Sequence, residues 1–261
     1  MRANDARWTR EQLIATLDLY CRTPFGRLHR GNPDVVALAK AIGRTPSAVA
    51  MKLVNFASFD PMQQRRGIRG LSNAAQADKD VWHEFQTNWE ELALVADAVR
   101  SQLGIPVGGV SEDAIAAKRE GPSEAMRQSK VRLVQGFFRD AVLASYDYTC
   151  SFCGLCLTEM LTASHIVPWK CDASRRADPR NGIALCAFHD RAFDRGLMTV
   201  RSDFTIWVSE SAKTKVVAPM HEAGILRVDG SRIRMPARFA PDPVALEYHN
   251  QHVFKHRRSS P

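Results

Sequence analysis

No uninterrupted apolar run in the 261 residues approaches the ~20 needed to cross a bilayer. The opening stretch, MRANDARWTREQ, lacks the apolar centre of a signal peptide. No period repeats along the chain, which excludes solenoids and propellers. Cysteine is scarce, six residues in all, too few for a fold held together by disulfides. Glycine and proline, at 15 and 13, are too few for a collagen-like or low-complexity chain. A hydrophobic share of 45% excludes a mostly disordered one. The expectation is a cytoplasmic protein without a membrane partner. In that reducing compartment cysteines are thiols or metal ligands.

Charge of one sign is in excess. Lys and Arg number 36 against 28 Asp and Glu, a formal +8. The surplus is largest after residue 126, whereas 104–126 is net acidic. A basic surface suits a polyanion, because each neutralised phosphate releases counterions. It also serves plain solubility.

Residues 1–103 read as a helical domain. Thr9 followed by Gln12 fits a capping box, and Leu13, Leu17 and Tyr20 form an apolar stripe. Asn32-Pro33 opens a second helix ending at Gly43, and Thr45-Pro46 opens a third ending before Asp60-Pro61. Two short helices around Gly43-Arg44-Thr45 make a helix-turn-helix candidate. The segment LAKAIGRTPSAVAMKL resembles the last helix pair of Myb/SANT-like DNA-reading domains. If it reads DNA, Arg44, Ser47, Lys52 and the loop Arg65, Arg66 and Arg69 meet phosphates. A helical packing domain without groove contact is the other reading. Trp82, Phe85 and Trp89 share helical spacing in a later helix and read as core. Residues 104–126, rich in Gly, Pro, Ser and charge, read as a linker. A second domain, 127–258, starts with a helix over 127–146. Strand-like stretches follow: LTASHIV, LMTV, FTIWV and ILRV.

Five of the six cysteines fall between 150 and 186. Cys150 and Cys153 form a C-x2-C knuckle, with Gly154 suited to its turn. Cys186 and His189 form a C-x2-H pair. Two such pairs offer four ligands of the type tetrahedral zinc prefers, and so a structural site. Cys156 competes for a ligand place; Cys171 and Cys21 look like spare thiols. Between and after the pairs lie Ser164-His165-Ile166-Val167-Pro168-Trp169, Arg180-Asn181-Gly182 and His189-Asp190-Arg191-Ala192-Phe193-Asp194-Arg195-Gly196-Leu197. Asp190 and Asp194, at i and i+4 on a predicted helix, share one face and are spaced for one Mg²⁺-like ion. His189 stands about a hundred degrees round that helix from Asp190 and is free to turn to zinc. An imidazole with a pKa near neutrality suits proton abstraction from water.

At these residues, from about Arg132 to Val200, the chain resembles the HNH endonucleases, the ββα-metal nucleases. It is closest to the subgroup written SHI-x-PW … NG-x-x-L-C-x-x-HD-x-x-FD-x-GL. The resemblance implies an α+β chain: a helical, helix-turn-helix-like N-terminal domain and a C-terminal ββα-metal nuclease domain braced by structural zinc. It implies a metal-dependent DNA endonuclease, with restriction or defence against foreign DNA as its role. His165 takes the general-base place. Asn181 takes the place that orients the base and pins the loop. Asp190 and Asp194 take the places of ligands to catalytic Mg²⁺ or Mn²⁺. Ser164 stands where relatives often carry Asp or His, so the number of protein ligands stays open. If Cys156 binds zinc, His189 becomes free for the catalytic metal. Arg180, Arg191 and Arg195 hold phosphates or solvate the surface. The partner implied is DNA, and a homodimer is compatible with the pattern. A catalytically inactive zinc-stabilised module binding DNA or protein is the alternative. In a third reading, residues 1–103 sense a signal.

Overall fold

The computed structural model describes residues 7–70, 76–105, 122–214 and 218–255, and no side chain of 122–126. Most of the expected linker and the basic tail lie outside the described residues.

The first helix, α1 (Arg10–Arg22), starts where local chemistry satisfies its free amides. Thr9 Oγ1 accepts from the Gln12 amide while the Gln12 side chain accepts from the Thr9 amide, a complete capping box. Asn32 and Thr45 cap α2 (Pro33–Ala41) and α3 (Pro46–Ala57) in the same manner, each ahead of proline at the first helical position. Gly43, at φ +66°, makes the left-handed turn between them. Asp60 caps the short α4 (Pro61–Arg65). Trp82 and Trp89 do not share one helix. Asn88 caps a new one, so α5 (Gln76–Gln86) and α6 (Trp89–Gln102) are separate. Both tryptophans and Phe85 are buried core, as expected.

The long helix α7 (Pro122–Ser145) belongs to two hydrophobic clusters. Val134, Phe137 and Ala141 enter the core built by α1–α3, α5 and α6. Phe138, Val142 and Leu143 enter the core of the C-terminal half. Buried charge reinforces the first junction. Asp18 accepts from Arg22 at 2.8 Å and Arg100 at 3.0 Å, and Arg22 also reaches Asp140 of α7 at 2.7 Å. Arg238, fully buried, donates to the carbonyls of Tyr20, Cys21 and Thr23 at the end of α1. A strap from the C-terminal half thereby caps a helix of the N-terminal half.

Beyond α7, β1 (Leu161–His165) pairs antiparallel with β2 (Gly182–Cys186), Leu161 opposite Cys186 and His165 opposite Gly182. Helix α8 (Ala187–Asp194) follows without a break. A second hairpin joins β3 (Met198–Val200) to β4 (Ile206–Val208), as two of the strand-like stretches predict. The third, ILRV, is a 3-10 turn instead. Bounded by Gly224 and Asp229-Gly230, it is too short to reach a ladder partner. Three small helices close the chain, α9 (Glu210–Lys213), α10 (Pro219–Gly224) and α11 (Pro243–His252).

Gly182 lets the hairpin lie against α7. A Cβ there would come within 2.4 Å of Val142 and 2.8 Å of Phe138. Gly182→Ala should therefore destabilise the protein by about 1–3 kcal/mol, read as a lower midpoint in denaturant unfolding. An unchanged midpoint would show that α7 is not tightly seated on β2.

Candidate metal and phosphodiester site

The knuckle follows α7 directly. Gly154, at φ +78°, turns the chain so that its amide donates to the Cys150 carbonyl at 2.9 Å. Ser151 donates its amide to the Ala184 carbonyl at 2.8 Å, which docks the knuckle on β2. Cys186 ends β2 and His189 occupies the first turn of α8. The donor atoms of Cys150, Cys153, Cys186 and His189 all lie within 4.8 Å of one another. Nδ1 of His189 is 3.1 Å from Cys186 Sγ and 3.5 Å from Cys150 Sγ, and Cys153 Sγ is 4.0 Å from Cys186 Sγ. A tetrahedral zinc with these ligands sets donors roughly 3.5–3.8 Å apart. The four residues could hold zinc.

Two further features fit a resident dication. His189 Nε2 sits 2.7 Å from the Gly224 carbonyl, which selects the tautomer with Nδ1 free to ligate. Burial, with the neighbouring Cys150 and Cys186, pushes the Cys153 thiol up to about 12. A bound cation would reverse that cost by favouring thiolates. Cys156 is exposed and outside the cluster, so the competition for the fourth place falls to His189.

Successive residues of β1 face opposite ways. Ser164 turns toward α8. Its hydroxyl is buried, makes no hydrogen bond of normal geometry, and lies beside Asp190, whose ionised form it favours. Asp194 stands one turn further along α8. Burial raises the Asp190 carboxyl above the usual range; burial and the charge of Asp190 do the same to Asp194. The Ser164 hydroxyl is the side chain that favours the Asp190 carboxylate, and among the described residues neither Asp190 nor Asp194 forms a close ion pair, not even Asp194 with Arg191 or Arg195. Two mutually repelling carboxylates beside an orphaned hydroxyl suit a hard cation.

His165 turns the other way, onto α7. Its ring stacks on Phe138 at 3.7 Å between centroids and meets the edge of Trp169 at 5.5 Å. Nε2 lies 3.0 Å from the Arg176 carbonyl. Among the described residues nothing hydrogen-bonds to Nδ1, and the residue is half-buried. Burial lowers the pKa of the ring, against the smaller pull of the Arg176 carbonyl. No hydrogen bond joins His165 to Asp190 or Asp194. The structure thus groups Asp190, Asp194 and Ser164 on one face of β1 and sets His165 on the other.

Asn181 does not touch the His165 ring, contrary to the orienting role expected for it. Its side chain accepts from the Val167 amide at 2.8 Å and donates to the carbonyls of Val167 and Arg175 at 3.1 and 3.2 Å. It pins the loop between the strands, and the Arg176 carbonyl aims the imidazole. Nothing in residue spacing announces a backbone carbonyl or the aromatic bed formed by Phe138 and Trp169.

The expected phosphate contacts divide. Arg191 and Arg195 are exposed on α8. Arg180 is held by Asp178 at 2.7 Å and by the Gln86 carbonyl at 3.1 Å. Lys52 is buried and paired with Asp78 at 2.8 Å, so it is an internal cation rather than a DNA contact. Arg44 lies over the Trp8 ring and donates to the Arg7 carbonyl and to Gln12. It ties down the chain ahead of α1.

Residues 150–201 match the family model described as HNH endonuclease. The match spans the knuckle, the hairpin, α8 and β3, the elements that hold the donor cluster and both faces of β1. No curated protein matches the chain.

Metal analysis of purified protein should find about one zinc per chain. Cys150→Ser should lose it and unfold the C-terminal half, because metal binding contributes directly to folding in such sites. A Cys150→Ser variant that stays folded and zinc-loaded would refute the four-ligand cluster.

Proposed function

With an HNH endonuclease segment at residues 150–201 as the premise, we propose that this protein hydrolyses DNA phosphodiester bonds with His165 as general base. The observation that carries the reading is the state of that ring. Its Nε2 lies on the Arg176 carbonyl, its ring is stacked on Phe138 against the edge of Trp169, and burial lowers its pKa, which favours the neutral form. With Nε2 donating to that carbonyl, Nδ1 presents a lone pair to a water molecule. Phe138 and Trp169 fix the plane of the ring. Asn181 keeps the loop that supplies the Arg176 carbonyl in register. On the opposite face, Asp190 and Asp194 would hold Mg²⁺ or Mn²⁺. When bound, the ion supplies positive charge to the phosphoryl and leaving oxygens. A phosphate laid across the end of β1 meets the imidazole from one side and the acidic pair from the other. Exposed Arg191 and Arg195 on α8 take neighbouring phosphates.

The chain divides, in this reading, into a helical part over 1–103 and a nuclease part over 127–258; the helix expected from 127 starts earlier, at Pro122, inside the stretch 104–126 read as a linker. The internal engagement of Lys52 and Arg44 favours a bracing or sensing role for the N-terminal helices over groove reading. Cleavage of foreign DNA, in restriction or defence, is the biological role this arrangement serves.

Purified protein incubated with plasmid DNA and Mg²⁺ or Mn²⁺ should nick or cut it. His165→Ala should lower the rate by about 10²–10⁴-fold while DNA binding persists. Equal rates in the two proteins would remove His165 from the reaction. The neutral ring is the working form, so activity should fall as pH drops through its pKa. Burial places that pKa below the ordinary 6.5. A pH–rate profile whose acid limb lies well above 6.5 would contradict the buried, neutral base.

A further inference from the structure

A cavity of about 730 Å³ opens beside the imidazole, between α6, the N-terminal part of α7 and the loop joining β1 to β2. Among the described residues its walls carry Arg127, Lys130, Arg132 and Arg176, with Glu90 as the acidic residue. The walls are continuous with the candidate site. Trp169, whose edge meets His165, lines the cavity, and so does Arg176, whose carbonyl aims His165. Val134 lines it one turn ahead of Phe138, on which His165 stacks. Arg176 is held in place by its own Trp169, donating Nε to that carbonyl at 2.9 Å with its guanidinium over the indole ring. Lys130 and Arg132 are exposed, and neither forms an ion pair among the described residues.

We propose that this groove is the track for the DNA backbone flanking the scissile phosphate, with Lys130, Arg132 and Arg176 contacting non-scissile phosphates. The proposal rests on the nuclease reading only for which phosphate is cut; the groove's charge stands apart from it. Among the described residues Lys130, Arg132 and Arg176 outweigh Glu90 on these walls, a balance that suits a polyanion. The cavity is too small to enclose a duplex, so it takes one strand along its edge. Backbone contacts of this kind set register and orientation rather than sequence preference. They lead the strand along the face of β1 on which His165 lies.

The test is binding, measured separately from cleavage. The full chain, without added Mg²⁺ or Mn²⁺, is titrated into a fluorescent DNA duplex by anisotropy, from about 50 to 300 mM salt. Lys130→Ala combined with Arg132→Ala should weaken binding and make the slope of log affinity against log salt shallower by roughly 2, one counterion release per lost phosphate contact. Arg201→Ala combined with Arg232→Ala, which removes the same charge from the β3–β4 hairpin and the segment bridged to it at Thr205, should leave the slope unchanged. An unaltered slope in the groove pair, an equal loss in the hairpin pair, or no DNA binding by the wild type would each overturn the proposal. So would tighter binding of an RNA duplex of the same length. A wild type that binds through the groove but cuts no DNA with either metal would sink the nuclease reading and leave the groove standing.

Discussion

The site depends on an imidazole held from both sides. His189 presents Nδ1 to three thiols and Nε2 to the Gly224 carbonyl. Both ends of the ring are therefore fixed, and with them the rotation of α8 about its axis. Adjacent helical residues differ by about a hundred degrees. A helix whose His189 is locked inward must turn Asp190 toward β1, where the Ser164 hydroxyl lies. Asp194, one turn on, follows the same face. The thiol cluster therefore does more than staple a small, irregular region. It sets the angular position of the acidic pair, and its fourth donor, His189, is the immediate neighbour of the first carboxylate.

A second constraint places the other half of the site. Helix α7 is buried on two faces, one in each hydrophobic cluster. Arg22, Asp18 and Arg100 tie the helical side to it, and the Gly182 contact seats the hairpin on its other side. Buried charges of this sort are costly to break because removing one member strands the rest. The position of Phe138 relative to α1 is thus fixed by packing on both sides. Phe138 is the platform for His165, so the orientation of the imidazole is referred to the N-terminal helices as well as to its own hairpin. Arg238, closing the end of α1 from the C-terminal strap, adds a second tie between the same parts.

Local chemistry made much of this legible in the sequence. Thr9 with Gln12, Asn32-Pro33 and Thr45-Pro46 announced helix starts because capping depends on residues within a turn of each other. The knuckle pairs announced the donor cluster because ligand type and spacing are covalent facts. What stayed hidden depends on distant partners. Lys52 reads as a surface cation until Asp78 and Asn55 are seen beside it. Trp82 and Trp89 keep helical spacing across a break that Asn88 makes. ILRV has strand composition but folds as a 3-10 turn. Asn181 could be read as a site residue, yet the group that aims His165 is the carbonyl of Arg176, and a carbonyl carries no residue-type signal.

In the proposed reading, the separation of His165 as base from the acidic pair as cation site has an electrostatic reason. A carboxylate within hydrogen-bonding distance of His165 would favour the imidazolium and raise its pKa, which would disarm a base at neutral pH. Instead the groups that shift this ring are its burial and one backbone carbonyl; no carboxylate acts on it. The alternation of β1 achieves this with consecutive residues. Ser164 faces the acidic side and His165 the aromatic side, the backbone standing between them. The same partition serves the acidic side. Burial raises the Asp190 carboxyl, and burial with the charge of Asp190 raises Asp194, a cost that a divalent cation would remove. Proton abstraction and cation binding can therefore be tuned independently, although the residues that start the two faces are bonded neighbours.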